Sequence, residues 1–183
     1  MIDLLNKLEG NIQVLGKPKG IYDDGCVGKT LELSVTSPEA IGHVQLVGYI
    51  PPNIAQGNCF TVESGWRKKE VCFETPEIFQ VALGLRSVPG EDIAIKIEAK
   101  EVVNPKKVGI NDDERDISFL LVKLVFSTQN EVDYIKQGNQ LILAGQVEEA
   151  IEAYRYAVEL DSDLYWSSYC LTKALGLLKY SDR

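Results

Sequence analysis

The sequence predicts an α+β chain in two parts: an antiparallel β-sandwich over residues 1–127, with a short helix at its start, and a helical hairpin plus one further helix over residues 128–183. Three observations support this. From Gly20 to Phe126, short apolar stretches alternate with polar residues at period two, as in Ile93, Ile95 and Ile97 against Ala94, Lys96 and Glu98. Turn chemistry separates the stretches, at Pro51-Pro52-Asn53, Gly57-Asn58, Ser64-Gly65, Pro89-Gly90 and Asn104-Pro105. After Thr128 the period lengthens to that of a helix.

Taken in order, Ile2, Leu4, Leu5 and Leu8 space as one face of a helix over residues 2–9, too short to stand alone in water. Leu31, Leu33 and Val35 alternate with Glu32, Ser34 and Thr36 and predict the first strand. Further strands are expected over His43–Ile50, Cys59–Ser64, Lys69–Glu74, Ile78–Leu85, Asp92–Ala99 and Ile117–Phe126. Short strands at near-regular spacing imply antiparallel sheets packed as a sandwich. In the helical part, one apolar block runs through Ile135, Leu141 and Leu143. A second runs through Val147, Ala150, Ile151, Tyr154, Ala157, Val158 and Leu160, with Gly145 between them. Thr128 with Glu131 is the expected capping box, Gly145 the left-handed helix end, and Ser162 with Asp163 the expected cap of a third helix from about Leu164.

Composition excludes several classes. With 19 basic against 27 acidic residues and a net charge of -8, the chain has the opposite charge to one that binds phosphate backbones. No apolar run approaches the roughly 18 residues of a membrane span, and the acids in MIDLLNKLEG do not suit a signal peptide, so a cytoplasmic location is expected. Cys26, Cys59, Cys72 and Cys170 form no CxxC pair, sit among apolar neighbours and read as small hydrophobes. With His43 the single histidine, no metal site is expected.

From Glu131 the chain resembles the tetratricopeptide repeat, a 34-residue helix-turn-helix unit. The resemblance rests on Tyr134, Gly138 at the closest helix approach, Leu141, Gly145 at the turn, then Ala150, Tyr154 and Ala157. Gln137 stands where leucine is usual and Ser162 where proline is. Leu171 and Leu175 fall on the positions of a second repeat begun at Tyr165, and Ser168 and Thr172 do not. Such repeats do not bury their faces alone, so these helices are expected to lean on another surface.

Residues 20–126 carry a second resemblance. YDDG-x-VG before a strand, VGYIPP after the next, and PKKVGINDDERDI before the last look like the small β-sandwich module that accompanies bacterial, notably cyanobacterial, glycosyltransferases and sugar-modifying methyltransferases. The family's closing proline, glycine and Asp-x-Arg pair fall on Pro105, Gly109, Asp113 and Arg115, while Cys26 stands where the family commonly has tryptophan. The resemblance implies a non-catalytic accessory fold within glycan-synthesis machinery.

No catalytic residue or cofactor is expected. Gly28-Lys29-Thr30 ends like a phosphate-binding loop, but Asp23 stands where the first glycine belongs and a strand follows where a helix is required. The acids Asp112, Asp113, Glu114 and Asp116 surround Arg115. They read either as a metal or sugar-hydroxyl site or, the preferred reading, as a turn pinned by one Arg115 pair. Asp23 and Asp24 read as turn residues. His43 reads as a solvated or simply hydrogen-bonded strand-edge residue without a triad. Trp66, beside Arg67, Lys68 and Lys69, is expected at a hairpin tip, where folding over the sheet edge is the preferred reading and stacking on a sugar or protein the alternative, which keeps it among the interaction candidates. Tyr154 is a packing position and Tyr156 is expected to face away. From Tyr165 to Tyr180 the third helix is apolar around more of its circumference than one hairpin covers, which makes Trp166, Tyr169, Leu177 and Leu178 the interaction candidates.

The expected function is therefore non-enzymatic protein–protein interaction or self-association through the C-terminal helices, as an accessory of surface-polysaccharide or glycosylation machinery. The alternatives are the front segment of a larger glycosyltransferase or methyltransferase, and a carbohydrate-binding module.

Overall fold

The structure is a computed structural model that describes residues 7–52 and 58–181. Its β part is one continuous nine-stranded sheet made of β1 (Leu8–Glu9), β2 (Gln13–Ile21), β3 (Cys26–Thr36), β4 (His43–Tyr49), β5 (Asn58–Ser64), β6 (Arg67–Phe73), β7 (Ile78–Gly84), β8 (Asp92–Ala99) and β9 (Phe119–Ser127). The main path is β6-β5-β8-β3-β9-β4-β7, with β2 on β3 and β1 beside β9. Among the described residues only β1–β9 is a parallel pair, and it is two residues long. The sheet bends where β3 hands over to β9 through Cys26–Leu120 and Val27–Phe119 alone. The two halves therefore face each other, and Phe60 from β5, Phe79 from β7 and Phe119 from β9 meet in the middle with ring centroids 5.1–5.6 Å apart. The alternation expected of β8 is observed: Ile93, Ile95, Ile97 and Ala99 point into this core while Asp92 and Ala94 are exposed.

One expectation for the start of the chain is corrected. Leu8–Glu9 is a strand, not the end of a helix, because Leu8 pairs with Leu124 and packs against the core; residues 1–6 lie outside the described residues. A strand also runs over Gln13–Ile21 that periodicity missed. Its register slips twice, between Leu15 and Lys19 and again before Ile21, which breaks the alternation that would have marked it.

The helices are α1 (Glu131–Leu143), α2 (Val147–Leu160) and α3 (Tyr165–Ser181). The capping box forms two residues later than expected, with Asn130 accepting from Val132 and Asp133 backbone N–H groups while Asp133 accepts from Asn130 N–H. Glu131 is thereby freed and buried, its carboxylate 3.8 Å from Arg86 Nη2. Gly145 ends the first hairpin arm at φ 78°, a conformation that favours glycine. Ala150, Tyr154 and Ala157 are buried against Ile135, with Leu141 packed at the edge. A Cβ on Gly138 would collide with the Tyr154 ring. The third helix buries Ser167, Cys170 and Ala174. Leu171 is half-buried, whereas Leu175, expected on the inner face, is exposed.

The hairpin does lean on another surface, the edge of the sheet. Arg67 Nη2 of β6 donates to Asp161 Oδ2 at 2.8 Å, and Lys69 Nζ bridges Glu159 Oε1 and the Ala82 carbonyl at 3.0 Å each. Gly84 lets the Leu160 carbonyl approach so closely that a side chain there would clash with it. These contacts occupy polar groups of edge strand β7 that would otherwise invite another strand.

The cysteine reading needs correction at two of four positions. Cys59 and Cys72 are direct cross-strand partners on β5 and β6, with Cα atoms 4.0 Å apart, and form a disulfide. Spacing alone could not pair them, because a hairpin sets the register only once its turn is known. Cys26 is half-buried and Cys170 buried, both as free thiols among apolar side chains.

Candidate functional site

The β5–β6 hairpin turns in two residues, Gly65 and Trp66, because Ser64 pairs directly with Arg67. Gly65 takes φ 57°, the positive angle that tight hairpin turns assign to glycine. Trp66 is thereby carried to the very tip and is 73% exposed. This overturns the expectation that the indole folds over the sheet. A two-residue turn leaves it no slack to fold back, and the Arg67 guanidinium, 4.4 Å from the ring centroid, fixes it from one side. Arg86 is a second cation at 5.9 Å.

The tip stands between two surface depressions. One, of about 250 Å³, is lined by Trp66, Arg67, Arg86, Ser87, Glu91 and Asp92 among others. The other, of about 480 Å³, lies over β2, β3, β8 and the end of β5, with Lys17, Lys19, Glu32, Ser34, Glu63 and Lys96 on its walls. Both include Ser64, Gly65 and Ala94. Small side chains therefore line the saddle that the two depressions share. The arrangement offers an aromatic face flanked by guanidinium, ammonium, carboxylate and hydroxyl groups. Arg67 adds a buried Nε with no hydrogen-bond partner, while its Nη2 holds Asp161 and keeps that carboxyl below the ordinary aspartate range.

Other candidate residues are placed differently. Arg115 sits at a corner joining the β2–β3 turn to the segment before β9. Its Nε and Nη2 donate to Asp113 at 2.7–3.1 Å, Nη2 also reaches Asp24 Oδ2 at 2.6 Å, and its guanidinium lies 4.7 Å over Tyr22. The Arg115 hydrogen bond holds the Asp24 carboxyl down at about 2. Glu114 pairs with Lys106, and Asp116 accepts from Asn104. Asp113, Glu114 and Asp116 are thus held by three different partners, Arg115, Lys106 and Asn104, rather than converging on one point. Cys26 lies beside this corner, and burial pushes its thiol up to about 11, which keeps it protonated. Gly28-Lys29-Thr30 lies inside β3, and the Val27 and Gly28 carbonyls accept from Ser118 Oγ at 3.1 and 2.6 Å. Carbonyl oxygens bonded in this way do not make a cradle of N–H groups for phosphate.

His43 is buried, 3% exposed, on the inner strand β4 rather than at an edge. Its Nδ1 is 2.7 Å from the Gln129 carbonyl and its Nε2 is 3.4 Å from Tyr156 Oη. Tyr156, expected to face away, instead packs into this junction with its ring 4.6 Å from that of Tyr134, and burial raises its hydroxyl to about 12. Sequence reasoning missed both because the sheet that the helix turns toward is distant in the chain. Among the described residues, the Cys59, Glu70 and Cys72 side chains bring three ligand atoms within 4.8 Å of one another, but both sulfurs are consumed by the disulfide.

The interaction candidates on α3 lie outward. Tyr165, Trp166 and Tyr169 form a surface stack, with Tyr169 at 6.2 Å from Tyr165 and 5.2 Å from Trp166, and Lys173 Nζ lies 5.5 Å over Tyr169. Leu177 is 49% exposed, and Leu178 is half-buried against the helical core. No described helix is long and apolar enough to cross a membrane.

No family model and no curated protein matches the chain. Among solved structures it is similar to TmCBM61 in complex with beta-1,4-galactotriose, at 14% identity and a TM-score of 0.32, over 67% of this chain and 93% of that one.

Proposed function

We propose that this chain is a non-catalytic carbohydrate-binding module whose ligand lies along the Trp66 tip and the two depressions beside it. The observation that carries the reading is Trp66 itself. A large, rigid aromatic face is held in solvent by a two-residue turn and a stacked arginine, and it remains 73% exposed. The negative face of an indole suits the polarised C–H face of a pyranose. The surrounding charged and hydroxyl side chains both donate to and accept from sugar hydroxyls, and the depressions on either side of the saddle suit an extended oligosaccharide. Binding the purified chain to a glycan array, followed by calorimetry on the hits, tests this. Trp66→Ala is expected to weaken binding at least tenfold while Trp166→Ala leaves it intact. Binding that survives Trp66→Ala, or no binding at millimolar oligosaccharide, overturns the reading.

A second reading, an accessory that binds a protein partner in glycosylation or surface-polysaccharide machinery, is favoured by one observation: the exposed Tyr165, Trp166 and Tyr169 stack. Its glycan context rests on the resemblance of residues 20–126, and its helical part on the resemblance to tetratricopeptide repeats. The Cys59–Cys72 pair supports an oxidising compartment over the cytoplasmic location expected from the sequence.

A further inference from the structure

We infer that the groove between α2 and α3 docks an amphipathic helix bearing lysine or arginine, supplied by another polypeptide. The inference deepens the second reading above and rests on it, naming a different surface from the aromatic stack and the chemistry of the partner.

Three observations lead there. The groove, of about 520 Å³, has an apolar floor of Ile151, Leu175 and Leu178 and a rim carrying Glu148, Glu149 and Glu152. Arg155 Nη1 pairs with Glu152 at 2.9 Å, and Glu149 takes a neutral hydrogen bond from Gln146, so among the described side chains the rim keeps net negative charge. Finally, α3 is apolar over more of its circumference than the one side it turns into the helical core through Ser167, Cys170 and Ala174, leaving Leu175 38% exposed on the groove side. A helix of that composition is normally covered on more than one side. The valley between two packed helices fits the ridge of a third at an interaxial distance of roughly 8–10 Å. A leucine or isoleucine stripe on the incoming helix meets the floor, and basic residues beside that stripe meet the Glu148 and Glu149 carboxylates. A sugar does not suit this groove, whose floor offers aliphatic side chains and no aromatic face.

The test titrates the full chain, methyl-labelled at isoleucine and leucine, with a synthetic helical peptide carrying leucines at i, i+3, i+4 and i+7 flanked by lysines. Two controls are the same peptide scrambled and a version with glutamate for lysine. Saturable shifts at the Ile151, Leu175 and Leu178 methyls are expected, at least tenfold weaker with either control. The E148K/E149K double variant, at exposed positions and checked for an unchanged circular dichroism spectrum, is expected to reverse the preference to the glutamate peptide. Shifts confined to residues around Trp166 and Tyr169 overturn the groove while leaving a protein partner at the helices. No shift anywhere on α1–α3 overturns both. Equal binding of the scrambled peptide, or sedimentation in which the chain covers these methyls by self-association, also overturns the groove assignment.

Discussion

His43 is the single histidine in the chain and is buried where β4 meets the helices, so its protonation is a direct probe of that junction. Burial holds its pKa below the ordinary 6.5. Above pH 6.5 it is neutral in both folded and unfolded states and contributes no pH dependence. As pH falls below 6.5, the unfolded chain takes up a proton that the folded one resists, so stability declines between 6.5 and the lower folded value. The melting temperature is expected to fall from pH 7 to pH 5, with the slope flattened in His43→Gln. An unchanged slope in that variant would contradict the assignment. Trp66 and Tyr156 teach a complementary lesson. Each side chain's type was evident from the sequence, but its direction was decided by a neighbour far along the chain or by a turn two residues long.

The elements differ in how much they depend on packing alone. Ala150 is completely buried at the α1–α2 seam, close to where Gly138 admits the Tyr154 ring. Ala150→Leu adds volume with nowhere to go and is expected to destabilise by about 1–3 kcal/mol, read from urea midpoints. If the variant is as stable as the wild type, the seam is not as tight as the structure has it. The β5–β6 hairpin is held differently, because its disulfide closes a segment of 13 residues. Loss of a cross-link over such a loop is expected to cost on the order of 2–3 kcal/mol. A Cys59→Ser/Cys72→Ser double variant and dithiothreitol-treated wild type should therefore lose stability equally. Coincident denaturation curves with and without reductant would show the bond to be absent in solution.

At the scale of the whole molecule, sheet and helices are joined by a small, charged clamp. Arg67 and Asp161 lie 2.8 Å apart with both side chains mostly buried, and Arg86 supports Asp161 at 3.4 Å. Asp161→Asn leaves Arg67 with a neutral partner and an Nε that has no partner among the described residues, and is expected to destabilise the fold by roughly 3 kcal/mol. Arg67 holds the Asp161 carboxyl below its ordinary 3.8, so this stability is present above that pH and is lost as pH falls through the depressed folded value. The helical signal at 222 nm should melt ahead of the near-ultraviolet aromatic signal in the variant. Melting that stays coincident and unshifted would mean the clamp contributes nothing to docking.

Local pattern was enough to read β3 from Leu31 onward, β4 to β9 and all three helices, because alternation and helical spacing are written in neighbouring residues: Ile93, Ile95 and Ile97 name their face without help from the rest of the chain. The Asp113–Arg115 contact was equally legible, being a two-residue separation, though Asp24 as its third member was not. What only the tertiary structure decided are the relations between residues distant in sequence. The slipped register of β2 hid a strand, and the pairing of β5 with β6 placed two cysteines face to face. The docking of α2 on β7 turned Tyr156 inward and buried His43. The candidate ligand surface belongs to this second class. The turn chemistry marked Trp66 as a hairpin residue, but the Arg67 beside it is held by Asp161, ninety-four residues away, and the depressions on either side of the tip are lined by strands and loops distant in sequence, β2, β3 and β8 on one side and the β7–β8 connection on the other.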